Sequence, residues 1–249
     1  MFSFFKKKEN VQQPQGVIPH VLLDLRKTLY TNASLDPLLA RIGDDSKSVF
    51  PWRNFVAANE ALREGDKDRA ILRLKEIVGA EGLETRVRLQ AWHTLVSLGE
   101  MPVDTLRGYT QAVVIENHTA KGLDIVAAYS DSSARYWNPT GGGVIWDARD
   151  PEIDQLIFNL LSVGFEITKR IGVGLRDTLP VPEKGHIRIF IMAYDGSTVG
   201  EQPYEQLSKD PMGRVAIDAG SKLMKGLLKK QKNKNEVVRY ASSTEKQKA

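Results

Sequence analysis

Asp147, Asp150, Glu152 and Asp154 bring four carboxylates into one short stretch, and such a group could bind a divalent cation through its oxygens. The ligand spacing of an EF-hand loop is absent, and Asp150-Pro151 opens an apolar periodic run, DPEIDQLI. An Asp caps the free N–H groups of a first helical turn, Pro costs nothing at the first helical position, and further acids complement the helix dipole. Capping therefore accounts for the group. The neighbouring stretch "WNPTGGGVIWD" raises phosphate binding, because glycines let a backbone approach an anion closely. A phosphate loop continues through Lys-Ser/Thr into a helix, whereas Gly141, Gly142 and Gly143 run into Val-Ile-Trp, a strand. The run reads as a hairpin turn with glycines at positive φ.

Other chemistry is thinly represented. The chain has no cysteine, so disulfides, thiolate catalysis and Cys-based zinc sites are excluded, and a reducing compartment is expected. His20, His93, His118 and His186 lie far apart without an HExxH pattern, and no GxSxG or SxxK nucleophile signature occurs. No catalytic residue, cofactor or metal is assigned. The net charge is +4, but from Lys222 onward nine Lys/Arg stand against Glu236 and Glu245, a local +7, which leaves −3 on residues 1–221. A basic face for duplex nucleic acid is not indicated by that distribution. The basic candidates for an anionic surface lie towards the two ends: Lys6, Lys7 and Lys8 beside an aromatic stub, and Lys225, Lys229, Lys230, Lys232 and Lys234 on the last helix.

The elements that position these groups follow from periodicity. Residues 1–16 read as a disordered tail, 17–104 as a helical region, 105–230 as an α+β domain and 231–249 as a basic disordered tail. Asp36-Pro37, Asp150-Pro151 and Asp210-Pro211 each read as a helix start. From about Tyr109 the period changes to two: "QAVVIE", "LDIVAAYS", "ARYWN" and "VIW" predict a four-strand meander, followed by a long helix over 151–171 with an Ile153-to-Ile171 stripe. "HIRIFIMAY" predicts a further strand and "TVGEQPY" a weak one, before a last helix with Ala216, Ala219, Leu223 and Leu227 on its core side. The order β-β-β-β-α-β-(β)-α predicts an α+β sandwich with helices over one face of an antiparallel sheet.

Residues 52–99 carry a family likeness. A first helix rich in small residues (Ala57, Ala58, Ala61), a Gly65-Asp66 turn and an Ala70-Ile71 opening to the second helix resemble a tetratricopeptide helical hairpin over about one and a half repeats. That resemblance implies binding of a partner protein. The element order of the second half resembles roadblock and longin-type scaffolds, which implies dimerisation or small-GTPase binding.

The resulting expectation is a cytoplasmic, non-catalytic interaction protein, with a homodimer among the partners to be considered. Trp52, Phe55, Trp92, Tyr136, Trp137, Trp146, Phe158 and Phe165 are the partner-contact candidates, since large aromatics dominate interface energetics. Two alternatives stay open. One is a ligand site or active site near the meander aromatics, where Asp124, Arg135 or Asp147 would converge in a pocket. The other is peripheral contact with membrane or nucleic acid through the tails.

Overall fold

Both faces of each central strand are apolar, and that decides how many layers the molecule has. In the computed structural model, which describes residues 18–175 and 179–245 and side chains as far as 232, the strands are β1 (Thr110–Thr119), β2 (Gly122–Tyr129), β3 (Ala134–Trp137), β4 (Gly143–Trp146), β5 (His186–Ala193) and β6 (Gly196–Pro203). They form one antiparallel six-stranded sheet in the order β4-β3-β2-β1-β5-β6. Successive side chains alternate between faces, so Val113 and Ile115 of β1 join one core while Ala112 and Val114 join another, and all four are buried. A strand buried on both sides needs a cover on both sides.

The helices supply it. They are α1 (His20–Lys27), α2 (Leu35–Leu39), α3 (Asp44–Lys47), α4 (Trp52–Arg63), α5 (Lys67–Gly79), α6 (Thr85–Ser97), α7 (Pro151–Ile171), α8 (Tyr204–Leu207) and α9 (Pro211–Glu245). The antiparallel pair α7 and α9 covers one face with Ile153, Ile157, Leu160, Leu223 and Leu227. Leu22 of α1, Leu29, Tyr30 and Leu89 of α6 cover the other. The class is α+β as expected, but the helices lie on two faces rather than one. Residues Leu35, Phe55, Ala58, Ala61, Ala70, Leu74 and Leu95 form a separate core within the helical region.

Close approach of α7 and α9 depends on glycine at three points. A Cβ on Gly164 would meet Val113 Cγ2 at 2.7 Å, one on Gly220 would meet Ile115 Cδ1 at 2.6 Å, and one on Gly226 would meet Leu156 Cδ1 at 2.7 Å. Capping follows the expectation at Asp150, which accepts from Glu152 N and Ile153 N, and at Asp210, which accepts from Met212 N and Gly213 N. Asp36 departs from it: the helix begins two residues earlier, at Leu35 after Ser34, and Asp36 instead accepts from Asn59 Nδ2 at 2.7 Å and Arg63 Nη2 at 2.5 Å. The first strand is longer than "QAVVIE", so the first hairpin turns at Ala120-Lys121, and "TVGEQP" lies in a full strand paired along β5, while Tyr204 opens α8. Ile171 ends the α7 stripe exposed, where Gly172 leaves the helix at φ 85°. The last helix continues past residue 230 to Glu245.

One buried ionic cluster fastens α1 to the sheet. Glu116 in mid-β1 is fully buried and accepts from Arg26 of α1 (Nε, and Nη2 at 3.1 Å) and from Arg188 of β5 (Nη1 at 3.0 Å). Arg188 also donates to Glu201 of β6 at 2.8 and 2.5 Å. Both guanidiniums reach the backbone of the segment that precedes β5: Arg26 donates to Leu179 O and Pro180 O, and Arg188 to Pro180 O. Burial pushes the Glu201 carboxyl up, but hydrogen bonding and charge from Arg188 outweigh it and hold it below its usual range. Glu116→Gln takes the carboxylate partner from buried Arg26 and leaves Arg188 with Glu201 alone, and is expected to cost about 3–5 kcal/mol in urea unfolding. Asp218→Asn, which breaks an exposed i, i+4 pair with Lys222, is expected to change stability by less than about 0.5 kcal/mol. Equal effects of the two variants would refute the anchoring role.

Candidate functional site

The meander aromatics separate by strand parity. Tyr136 and Trp146 face the α7/α9 core, Tyr129 and Trp137 face the α1/α6 core, and all four are less than 8 % exposed. The ligand site considered as an alternative at these aromatics finds no shared surface, because alternate residues of a strand point to opposite faces. Trp137 and Trp146 are packing residues, as is Phe55, which is 0 % exposed. The glycine turn is likewise structural. Asn138 Oδ1 accepts from Thr140 N and Gly142 N, Gly141 sits at φ 82°, and a Cβ on Gly143 would fall 1.8 Å from Tyr136 O.

Asp124, Arg135 and Asp147 do not converge either. Arg135 lies on the α1/α6 side of β3, where it donates to Trp146 O at 3.0 Å and pairs with Asp147 at 2.7 Å. Asp124 points to the opposite face into a cavity of about 310 Å³ between the sheet and α9, lined also by Asn117, Tyr136, Ile187, Ser221 and Met224. Tyr136 Oη donates to Asp124 Oδ1 at 2.9 Å. Burial raises the Asp124 carboxyl above its usual range, against the smaller opposing effects of the Tyr136 hydrogen bond and the Lys121 charge. Burial and then the Asp124 contact raise the Tyr136 phenol strongly.

A second cavity, of about 330 Å³, opens in the helical region between the α1–α2 segment, α4 and α6. Leu38, Ile42, Trp52 and Val87 give it apolar walls, and Phe55 closes its floor against Trp52 with ring centroids 5.7 Å apart. Lys27, Arg41 and Arg86 line it with Glu84; Lys27 pairs with Asp24 at 2.9 Å and Arg86 with Glu84 at 2.7 Å. Arg41 is held by its bond to Lys27 O at 3.1 Å, and Arg86 lies over the Tyr129 ring. Basic side chains on this side of the molecule had no sequence signal, because they come from three separate elements. The cavity's geometry in turn depends on the β2–β3 turn, where Asp131 accepts from Thr85 N at 2.7 Å and docks the start of α6 on the sheet.

The remaining candidates are scattered. Half-buried Trp92 packs against Tyr194 with ring centroids 6.1 Å apart. On α7, Phe165 stacks on Tyr109 at 5.1 Å, while Phe158 is 63 % exposed. Lys230 pairs with Asp150 at 2.8 Å and Glu152 at 3.1 Å, and Lys229 with Glu152 at 3.3 Å, so the basic stretch of α9 neutralises the acidic start of α7. Asp154 pairs with Arg149. The four-carboxylate stretch is thus absorbed by capping and ion pairs, and no metal-binding group occurs among the described residues. Lys225 and Lys232 are exposed; Lys6, Lys7 and Lys8 and the Lys234 side chain lie outside the described residues, as does the 1–16 tail. No helix among the described residues is long and apolar enough to cross a membrane.

The raised Asp124 carboxyl makes a pH prediction. Folding favours its protonated form, so its stabilising contribution is present below the unfolded-state pKa and is lost as pH rises through the folded-state pKa. Between about pH 4 and 7, urea midpoints should therefore show Asp124→Asn gaining on the wild type as pH rises. Parallel profiles would contradict the burial assigned to this group. Comparison with family models, with curated proteins and with solved structures yields no significant match for this chain.

Proposed function

We propose that this chain is a non-catalytic protein-interaction module whose helical region receives a segment of a partner protein, an apolar side chain flanked by carboxylates. The observation that carries the reading is the Trp52 cavity, in which apolar walls are bordered by Lys27 and Arg86, each in an ion pair, and by Arg41, which donates to backbone carbonyls. An apolar anchor in a concave site with complementary charge around it is the usual composition of a peptide-binding hot spot. The tetratricopeptide-like hairpin of residues 52–99 implies the same class of activity, and α4 of that hairpin supplies Trp52. Fluorescence anisotropy with a labelled Asp-Glu-Leu-Glu-Asp peptide is the direct test. Saturable binding is expected, weakened at least about tenfold by Trp52→Ala or by replacing the central Leu with Ala, and absent for the Lys-Lys-Leu-Lys-Lys counterpart. Failure to saturate by about 1 mM, or equal binding by a folded Trp52→Ala variant, overturns the proposal.

A second reading concerns α7. Phe158 is exposed with Gln155 and Asn159 beside it, and Phe158 and Phe165, seven residues apart on α7, are symmetric about Leu161-Ser162. In an antiparallel pair of such helices, Phe158 of one copy meets Phe165 of the other, and the acidic N-terminal turn meets Lys169 and Arg170. On this reading the partner at α7 is a second copy of the chain. Sedimentation equilibrium should give a concentration-dependent mass approaching twice the monomer, shifted to monomer by Phe158→Glu. A constant monomer mass over the micromolar range excludes it.

A further inference from the structure

We propose that the cavity between the sheet and α9 binds a small organic ammonium ion on an apolar body, with Asp124 as its counter-charge. This site is independent of the Trp52 cavity, lying on the opposite face of the sheet.

The cavity exists because α9 crosses β1 and β2 with its smallest side chains, Gly220 and Ser221; Gly220 has no room for a Cβ against Ile115. A wider contact there would hold the helix off the sheet, and a larger residue at 221 would fill the space. At about 310 Å³ the cavity lies at the lower end of ligand-site volumes, which are about 300–1,000 Å³, so its occupant is small. Ile187, Ile217 and Met224 offer an apolar body a wall, and Tyr136 and Tyr204 offer aromatic rings, whose faces favour a cation.

The polar groups are few and adjacent. Asn117 of β1 stands directly opposite Asp124 of β2 in the register, on the same face. Of the described lining residues, Asp124 alone is charged. Its partner in the wall is a neutral phenol that supplies one hydrogen bond to one carboxylate oxygen. A half-buried carboxylate such as Asp124 is stabilised more by a cation than by a neutral donor. An ammonium group presents three donors, enough for Asp124, the Asn117 side-chain oxygen and the Ser221 hydroxyl together. An anionic ligand would meet Asp124 with like charge in a partly dry site, and a neutral one would leave the carboxylate as it stands.

Isothermal titration calorimetry of the full chain tests this with 2-phenylethylammonium, 2-phenylethanol and 3-phenylpropanoate as probes of equal body and different charge. The ammonium ion should saturate with at least about tenfold preference over the alcohol, and the carboxylate should show no heat of binding. In Asp124→Asn the ammonium affinity should fall to that of the alcohol. Amide chemical shifts of the unmutated protein give a second readout that needs no variant: perturbations should centre on Asn117, Asp124, Gly220 and Ser221. Absent saturation by the ammonium ion, equal affinity for ammonium and alcohol, unchanged affinity in Asp124→Asn, or shifts centred elsewhere would each overturn the proposal.

Discussion

A carboxylate buried in the middle of a sheet requires positive charge from outside its own strand, and at Glu116 that requirement organises one whole side of the molecule. Its counter-charges come from Arg188 on the adjacent strand and from Arg26 on the first helix. The same two guanidiniums take up carbonyl groups of Leu179 and Pro180, so one cluster locates the helix, the sheet and the connection into β5 together. An apolar contact could be satisfied by several slightly shifted arrangements of α1. A charged cluster with directional bonds is met by very few, since each alternative leaves a buried charge unpaired.

The placement of α1 then decides the neighbouring layer. Leu22, Leu29 and Tyr30 cover Ala112, Val114 and Phe190 of the sheet, and the Tyr129 hydroxyl donates to Leu29 O at 2.9 Å. In the helical region, Phe55 is buried in one cluster with Leu35, Leu74 and Leu95, while the Trp52 cavity stays open on the outside. The opposite face follows a different rule. There the α7/α9 pair approaches the sheet through glycines, and its ends are joined by Lys229 and Lys230 against Asp150 and Glu152. The space opened beside Gly220 and Ser221 is the room in which Asp124 stands. Each of the two cavities is thus a consequence of how a helix layer is held on the sheet.

Much of the fold was readable in local pattern. The meander, the long helix capped by Asp150 and the last helix capped by Asp210 all appear, because a period of two or 3.6 and an Asp-Pro start are written in adjacent residues. Asp36 failed the same rule since Asn59 and Arg63, distant in sequence, compete for its carboxylate. The candidate sites were less legible. Trp52 was marked by residue type alone, and the cations beside it, Lys27, Arg41 and Arg86, belong to segments with no common motif. Asp124 was named, but with companions on the wrong face: strand parity sends Arg135 to the other side of the sheet. Tyr136, Trp137 and Trp146 divide between two cores because the alternation of β3 and β4 has a helical layer on each side to point into.

The sequence by itself determined the α+β class, the turn that leads into Gly143, the capping role of Asp150 and the lack of cysteine side chains. These are properties of residue type and of neighbours within a few positions, where backbone geometry leaves little choice. Only the tertiary structure decided that the sheet is covered on both faces, that Glu116 is the centre of a two-arginine cluster, and that Asp124 and Trp52 each stand in a cavity. Those outcomes depend on charges and volumes separated by tens of residues, such as Arg26 with Glu116 and Ile115 with Gly220. No local periodicity encodes such pairings; they are selected when buried groups find the partners that leave the fewest charges and spaces uncompensated.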